Sequence, residues 1–105
     1  MSHASNLGGI ESVEKGVATS WSVMMPCPWV PEIAKYLKQN PDVDSGLHLT
    51  LTSEWSLYRW LPVAGKPKVP GLVDPEGCLW QSVEKTATHA TSNRIKQERP
   101  LRVVG

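Results

Sequence analysis

The chain has 105 residues, room for one domain, and a formal net charge of +1, so no strong field argues for nucleic acid or an anionic membrane surface. Hydrophobic residues make up 40% of it, with five Trp and no Phe, and no apolar run approaches the ~20 residues that a membrane helix needs. The first ten residues lack a basic region followed by an apolar core, so no signal peptide is expected and the cytoplasm is the default compartment. Cys27 and Cys78 stand far apart without metal-type spacing and are expected as free thiols.

Taken in order, Ser2 to Gly16 is polar and contains Gly8, Gly9 and Gly16. Ser12 to Lys15 could form one helical turn, too short to count as a helix because nucleation is unfavourable. Val17 to Met25 alternates as a strand, with Val17, Thr19, Trp21, Val23 and Met25 on one side. Pro26-Cys27-Pro28 stops it, since proline lacks the ladder donor. Pro31 to Gln39 reads as a short helix with proline at its start and Val30, Ile33, Ala34 and Leu37 on one face. Asn40-Pro41 ends it.

Asp44 to Thr52 then alternates again. Leu47, Leu49 and Leu51 share the side expected to pack against a helix or sheet, and His48, Thr50 and Thr52 share the other. His48 is open to two readings, a hydrogen-bonded structural residue or a metal ligand. The strand–helix–strand order allows a parallel crossover.

Ser53 to Leu79 is read as a long irregular loop rich in Trp and Pro, with Asp74-Pro75-Glu76-Gly77 as a type I turn. Long loops of this kind often carry function. Trp55, Tyr58, Arg59 and Trp60 could form a stacking platform for a sugar or another flat apolar face; the plainer reading is that Trp55, Trp60 and Trp80 anchor the loop to the body, since large aromatics are mostly buried. Trp80 to about Thr91 is read as a helix with Trp80, Val83, Ala87 and Ala90 along one side and His89 solvated. Arg94, Lys96, Arg99 and Arg102 make a basic tail over residues 94–105, expected to be mobile, after a domain over residues 1–93. The fold class is α/β.

Three blocks carry a resemblance: Val23-Met24-Met25-Pro26-Cys27-Pro28-Trp29, Gly46 through Trp55 with its Gly-Leu-His-Leu-Thr-Leu-Thr core, and Tyr58-Arg59-Trp60. Pro70 to Gly77 continues it. They resemble the N-terminal third of the YdjC-type carbohydrate deacetylases, the chitooligosaccharide deacetylase (ChbG/HpnK) family. The resemblance implies a (β/α) barrel-like fold, of which this chain would hold a part. It also implies a divalent metal, magnesium or zinc, and hydrolysis of N-acetyl groups from acetylated amino sugars or oligosaccharides. The family's metal-binding His maps onto His48. In such chemistry a metal polarises the carbonyl and activates water, and a carboxylate takes the proton.

The family's adjacent Asp pair lies in a His-Ala-Asp-Asp-Leu-Gly-like motif, which maps onto His3-Ala4-Ser5-Asn6-Leu7-Gly8. Ser5 and Asn6 stand at the two Asp positions, and neither is anionic. The family's further His ligands lie beyond this chain's length, and His3 and His89 are not read as substitutes. A catalytic metal uses about three protein ligands, so no catalytic residue is assigned and hydrolysis by this chain is expected to be impaired. The alternative is a sugar-binding or interaction remnant without catalysis. A barrel cut after two or three strands would leave open sheet edges, so loose folding, self-association or a partner fragment is expected.

Overall fold

A computed structural model describes residues 2–91 and Ile95. The expected basic tail and the boundary before it lie outside the described residues, Ile95 excepted. Among those residues the order is α1 (His3–Glu14), β1 (Ser20–Met24), α2 (Val30–Gln39), β2 (Asp44–His48), two short 3-10 turns (Lys66–Lys68 and Pro70–Leu72) and α3 (Val83–His89). The chain parts after His48 into two compact units. No described helix is long and apolar enough to cross a membrane.

In the first unit, the two strands form a parallel sheet, with Ser20 opposite Asp44 and Met24 opposite His48. Helix α2 supplies the crossover between them, as an α/β arrangement requires. Its apolar face is the expected one: Ile33 is buried, and Val30, Ala34 and Leu37 are half-buried. Pro31 sits in its first turn and Asn40 caps its end.

The N-terminal segment departs from expectation, because α1 is a full helix of 12 residues. Two terminal devices bracket it. The Ser2 hydroxyl accepts from the Ser5 amide at 3.2 Å, an N-cap. At the other end Gly16 takes φ 74°, the Gly16 amide donates to the Val13 carbonyl, and the Val17 amide donates to the Ser12 carbonyl at 2.9 Å. That pair of bonds is a Schellman closure, and the left-handed turn it needs suits glycine. The closure also explains why β1 is shorter than the alternation suggests. The Val17 and Ala18 amides both bond to Ser12 and so cannot join a sheet ladder.

Strand β2 is likewise shorter than its alternating sequence and ends at His48. Every β2 residue is exposed, Leu47 at 45%, and Leu49 just beyond it reaches 63%. On the leucine side that was expected to pack, Leu47 and Leu49 thus stay open to solvent, while Leu51 is half-buried. A pattern of alternation requires a second layer to bury its apolar half, and Leu47 is not sealed by one.

The second unit is built mostly without regular structure, as the Pro- and Gly-rich sequence suggests. Its centre is Trp60, Val69, Leu72 and Leu79, all at 1% exposure or less. Buried Ser53 ties the loop together: its amide donates to the Trp80 carbonyl at 2.8 Å and its hydroxyl accepts from the Trp60 amide at 3.0 Å. The Trp60 indole donates to the Thr52 carbonyl at 2.8 Å, and the Leu79 amide donates to the Trp60 carbonyl at 3.1 Å. The expected turn is present, closed by the Gly77 amide on the Asp74 carbonyl at 2.9 Å.

The C-terminal helix is shorter than expected. Ser82 caps α3 by accepting from the Lys85 amide, which leaves Trp80 outside the helix. The apolar stripe read along it is not its buried face: Val83 is 75% exposed, and Thr86 is the buried residue. The Thr86 hydroxyl donates to the Ser82 carbonyl at 3.1 Å, so a polar group fills the inward position with its bond satisfied.

Candidate functional site

Ser5 and Asn6 are neighbours on α1, and a helix turns each residue about 100° from the last. They therefore point apart: Ser5 is exposed and Asn6 is buried. The Asn6 side-chain nitrogen donates to the Trp29 carbonyl at 3.0 Å and to Glu32 Oε1 at 2.9 Å. Both partners are acceptors, so the amide must present its NH2 end to them. One turn earlier on the same face, His3 Nδ1 meets Glu32 Oε2 at 2.6 Å, and the His3 ring lies 5.1 Å from the Trp29 ring. Glu32 sits in the first turn of α2. The Asn6 hydrogen bond holds its carboxyl below the usual carboxylate range; desolvation opposes this, and the His3 contact adds to it.

Ser5 and Asn6 also line a cleft of ≈ 150 Å³, together with Trp21, Ser22, Met24 and Ile33. Met24 is the strand partner of His48, which places His48 at the same end of the two-stranded sheet. His48 itself is exposed. Among the described residues no group of three His, Cys, Asp or Glu side chains comes together in a way that could hold a metal ion. The chemistry at the motif agrees. A divalent cation is held by anionic or lone-pair donors, whereas Asn6 turns an NH2 group inward and Ser5 carries no charge. These residues do not fit a divalent metal.

The aromatic loop belongs to the second unit. Trp55 is 57% exposed. Tyr58 is half-buried, edge-on to Trp60 with ring centroids 6.1 Å apart. Trp60 is in the core. Arg59 is largely enclosed: Nε donates to Ser53 Oγ at 3.2 Å, and Nη2 donates to Asp74 Oδ2 at 2.8 Å and to the Leu79 carbonyl at 2.7 Å. Partial burial pushes the Asp74 pKa up, but the Arg59 hydrogen bond, the Cys78 and Glu76 amides and the Arg59 charge outweigh it. The carboxyl is held below its ordinary value.

Several residues near these sites were not singled out by sequence reasoning. Glu32 joins His3 and Asn6, and its sequence signal was an acidic residue following proline at a helix start. Asp74 was read only as a turn residue, yet its side chain locks Arg59. Gln81 and Lys85, also not singled out, line a second cleft with Arg59, Trp80 and the Asp74 turn. His89, expected as solvated, is exposed but stacks on Trp80, with centroids 4.2 Å apart and planes 18° apart.

The family model described as YdjC-like protein matches residues 1–99. A search of curated proteins returned no match.

Proposed function

Because the chain belongs to the YdjC-like family, which implies carbohydrate deacetylase-like activity at the family level, we propose that it is a carbohydrate deacetylase-type chain whose hydrolytic chemistry is impaired. The acetyl group of an N-acetylated amino sugar is the family's implied target, and magnesium or zinc its implied metal. The observation that carries the reading is Asn6. At a position where the family resemblance calls for an Asp, this side chain is buried and donates to the Trp29 carbonyl and the Glu32 carboxylate. A carboxylate there would face two acceptors and an existing negative charge, which is destabilising. The surroundings of Asn6 are thus built for an amide, and the loss of the acid is integrated into the packing.

The test is acetate release from tri-N-acetylchitotriose by the full chain, with magnesium or zinc added in separate runs. No release above the rate without protein is expected. Steady release that disappears on chelation would overturn the reading. A second reading, sugar binding without catalysis, is favoured by Trp55, an exposed indole on the loop of the second unit. Large exposed aromatics of this kind suit the flat apolar face of a sugar ring. Quenching of Trp fluorescence by the same trisaccharide, lost in Trp55→Ala, would support that role for Trp55.

A further inference from the structure

The second unit contains a cleft of ≈ 260 Å³ between the Asp74 turn and the start of α3, lined by Arg59, Asp74, Glu76, Trp80, Gln81 and Lys85 among others. One of its lining groups is the guanidinium of Arg59, which has five N–H donors. Nε and both positions on Nη2 are used by Ser53, Asp74 and Leu79. Nη1 is different. Its nearest ionic partner is Glu76 Oε2 at 3.8 Å, on a side chain that is 76% exposed, and that distance is too long for a hydrogen bond. The Arg59 side chain, 13% exposed overall, therefore keeps on Nη1 a donor pair with no acceptor in hydrogen-bond reach among the described residues, on the wall of a cleft.

The rest of the lining says what kind of ligand would supply it. Arg59 and Lys85 are basic and Asp74 and Glu76 acidic, so the cleft has no net charge to favour a polyanion. Glu76 offers acceptors, Lys85 donors, and Gln81 both. Trp80 has spent its indole N–H on the Gly71 carbonyl at 3.1 Å and is braced by the stacked His89, so it contributes ring surface alone. At about 30 Å³ per water, the volume is that of roughly nine waters, the scale of one pyranose ring. Donors and acceptors around an aromatic surface suit a ligand whose hydroxyls both donate and accept.

We propose that this cleft is a carbohydrate subsite in which Arg59 Nη1, Glu76, Gln81 and Lys85 bind the hydroxyls of a sugar ring packed against Trp80. The ligand class rests on the sugar reading above, but the residues differ from the exposed Trp55 and from the Ser5–Asn6 region. Arg59 thereby serves two roles: its inner nitrogens hold the loop and its outer nitrogen faces the ligand.

The test is a titration of the full chain, followed by nitrogen–proton spectra, with tri-N-acetylchitotriose, cellotriose and inorganic phosphate as separate probes. The expected result is that both sugars shift the Arg59 Nε–H, Trp80 indole N–H and Gln81 side-chain signals, and phosphate does not. Gln81→Ala and Glu76→Ala change exposed side chains. Each should weaken sugar binding by about tenfold, the loss of one charge-assisted or neutral hydrogen bond, while the thermal midpoint stays in place. Absence of shifts for both sugars overturns the proposal. So does the same response to phosphate, shifts confined to Trp55 and Tyr58, or unchanged affinity in both variants. Acetate release in the earlier assay would overturn impaired catalysis alone, leaving the cleft to be judged by these shifts.

Discussion

The two units of this protein separate regular structure from burial. The first has two helices and a parallel sheet, yet its buried hydrophobic residues are Cys27 and Ile33, and every residue of β2 is exposed. In the second, the described elements are the short helix α3 and two 3-10 turns, yet Trp60, Val69, Leu72 and Leu79 are essentially sealed from solvent. Helices and strands satisfy backbone bonds within an element or a pair of elements, and need a further layer to bury side chains. The irregular unit satisfies its backbone across the loop, through Ser53, Trp60, Asp74 and Leu79, and so closes around a core without such a layer.

The sharpest way to break this comparison is to empty the second core. Trp60→Ala should cost about 3–5 kcal/mol and abolish the near-ultraviolet dichroism of the packed indole. A urea midpoint close to that of the parent would mean that the irregular unit does not depend on its core. Arg59→Met comes next. It leaves Asp74 enclosed without its cation and should cost about 3 kcal/mol. The pH dependence sharpens this. Because the folded state holds the Asp74 carboxyl below its ordinary value, its contribution is complete above the unfolded pKa and is lost as pH falls through the folded one. Acid should therefore lower the urea midpoint of the parent more than that of Arg59→Met; equal losses would contradict the role given to the pair.

Two glycines in α1 test the first unit with opposite signs. A Cβ on Gly9 would lie 3.0 Å from the Trp21 ring, whereas one on Gly8 would meet nothing within 4 Å. Gly8→Ala should stabilise by about 1 kcal/mol through helix propensity. Gly9→Ala gains the same amount and loses more to overpacking, for a net cost of about 1 kcal/mol. Thermal midpoints moving in the same direction would show that Trp21 yields. The smallest effect is expected at Leu49, which is 63% exposed. Leu49→Ser should stay within about 0.5 kcal/mol, and a large loss on dilution-sensitive denaturation would reveal a partner for the open sheet.

Much of the architecture was legible. Pro31 and Asn40 bracket α2, the alternations give both strands, and the proline- and glycine-rich segment gives the irregular loop. Helix α1 was missed because Gly8 and Gly9 argue against it locally. What outweighs them is tertiary: Asn6 bonds to Trp29 and Glu32, more than twenty residues away, and Gly9 admits the Trp21 ring. The terminal signals were nonetheless present in Ser2 and Gly16. At α3 the apolar spacing misled, since Thr86 faces inward in place of Val83.

By itself the sequence determined the α/β class, the family blocks, and the neutral residues at Ser5 and Asn6, because spacing and residue chemistry are local properties. Only the tertiary structure decided which polar groups meet. It set Glu32 against His3 and Asn6, enclosed Arg59 with Asp74 while leaving Nη1 toward a cleft, and left Leu47 of β2 exposed. Those outcomes depend on the distance between side chains far apart in the chain, which periodicity does not encode.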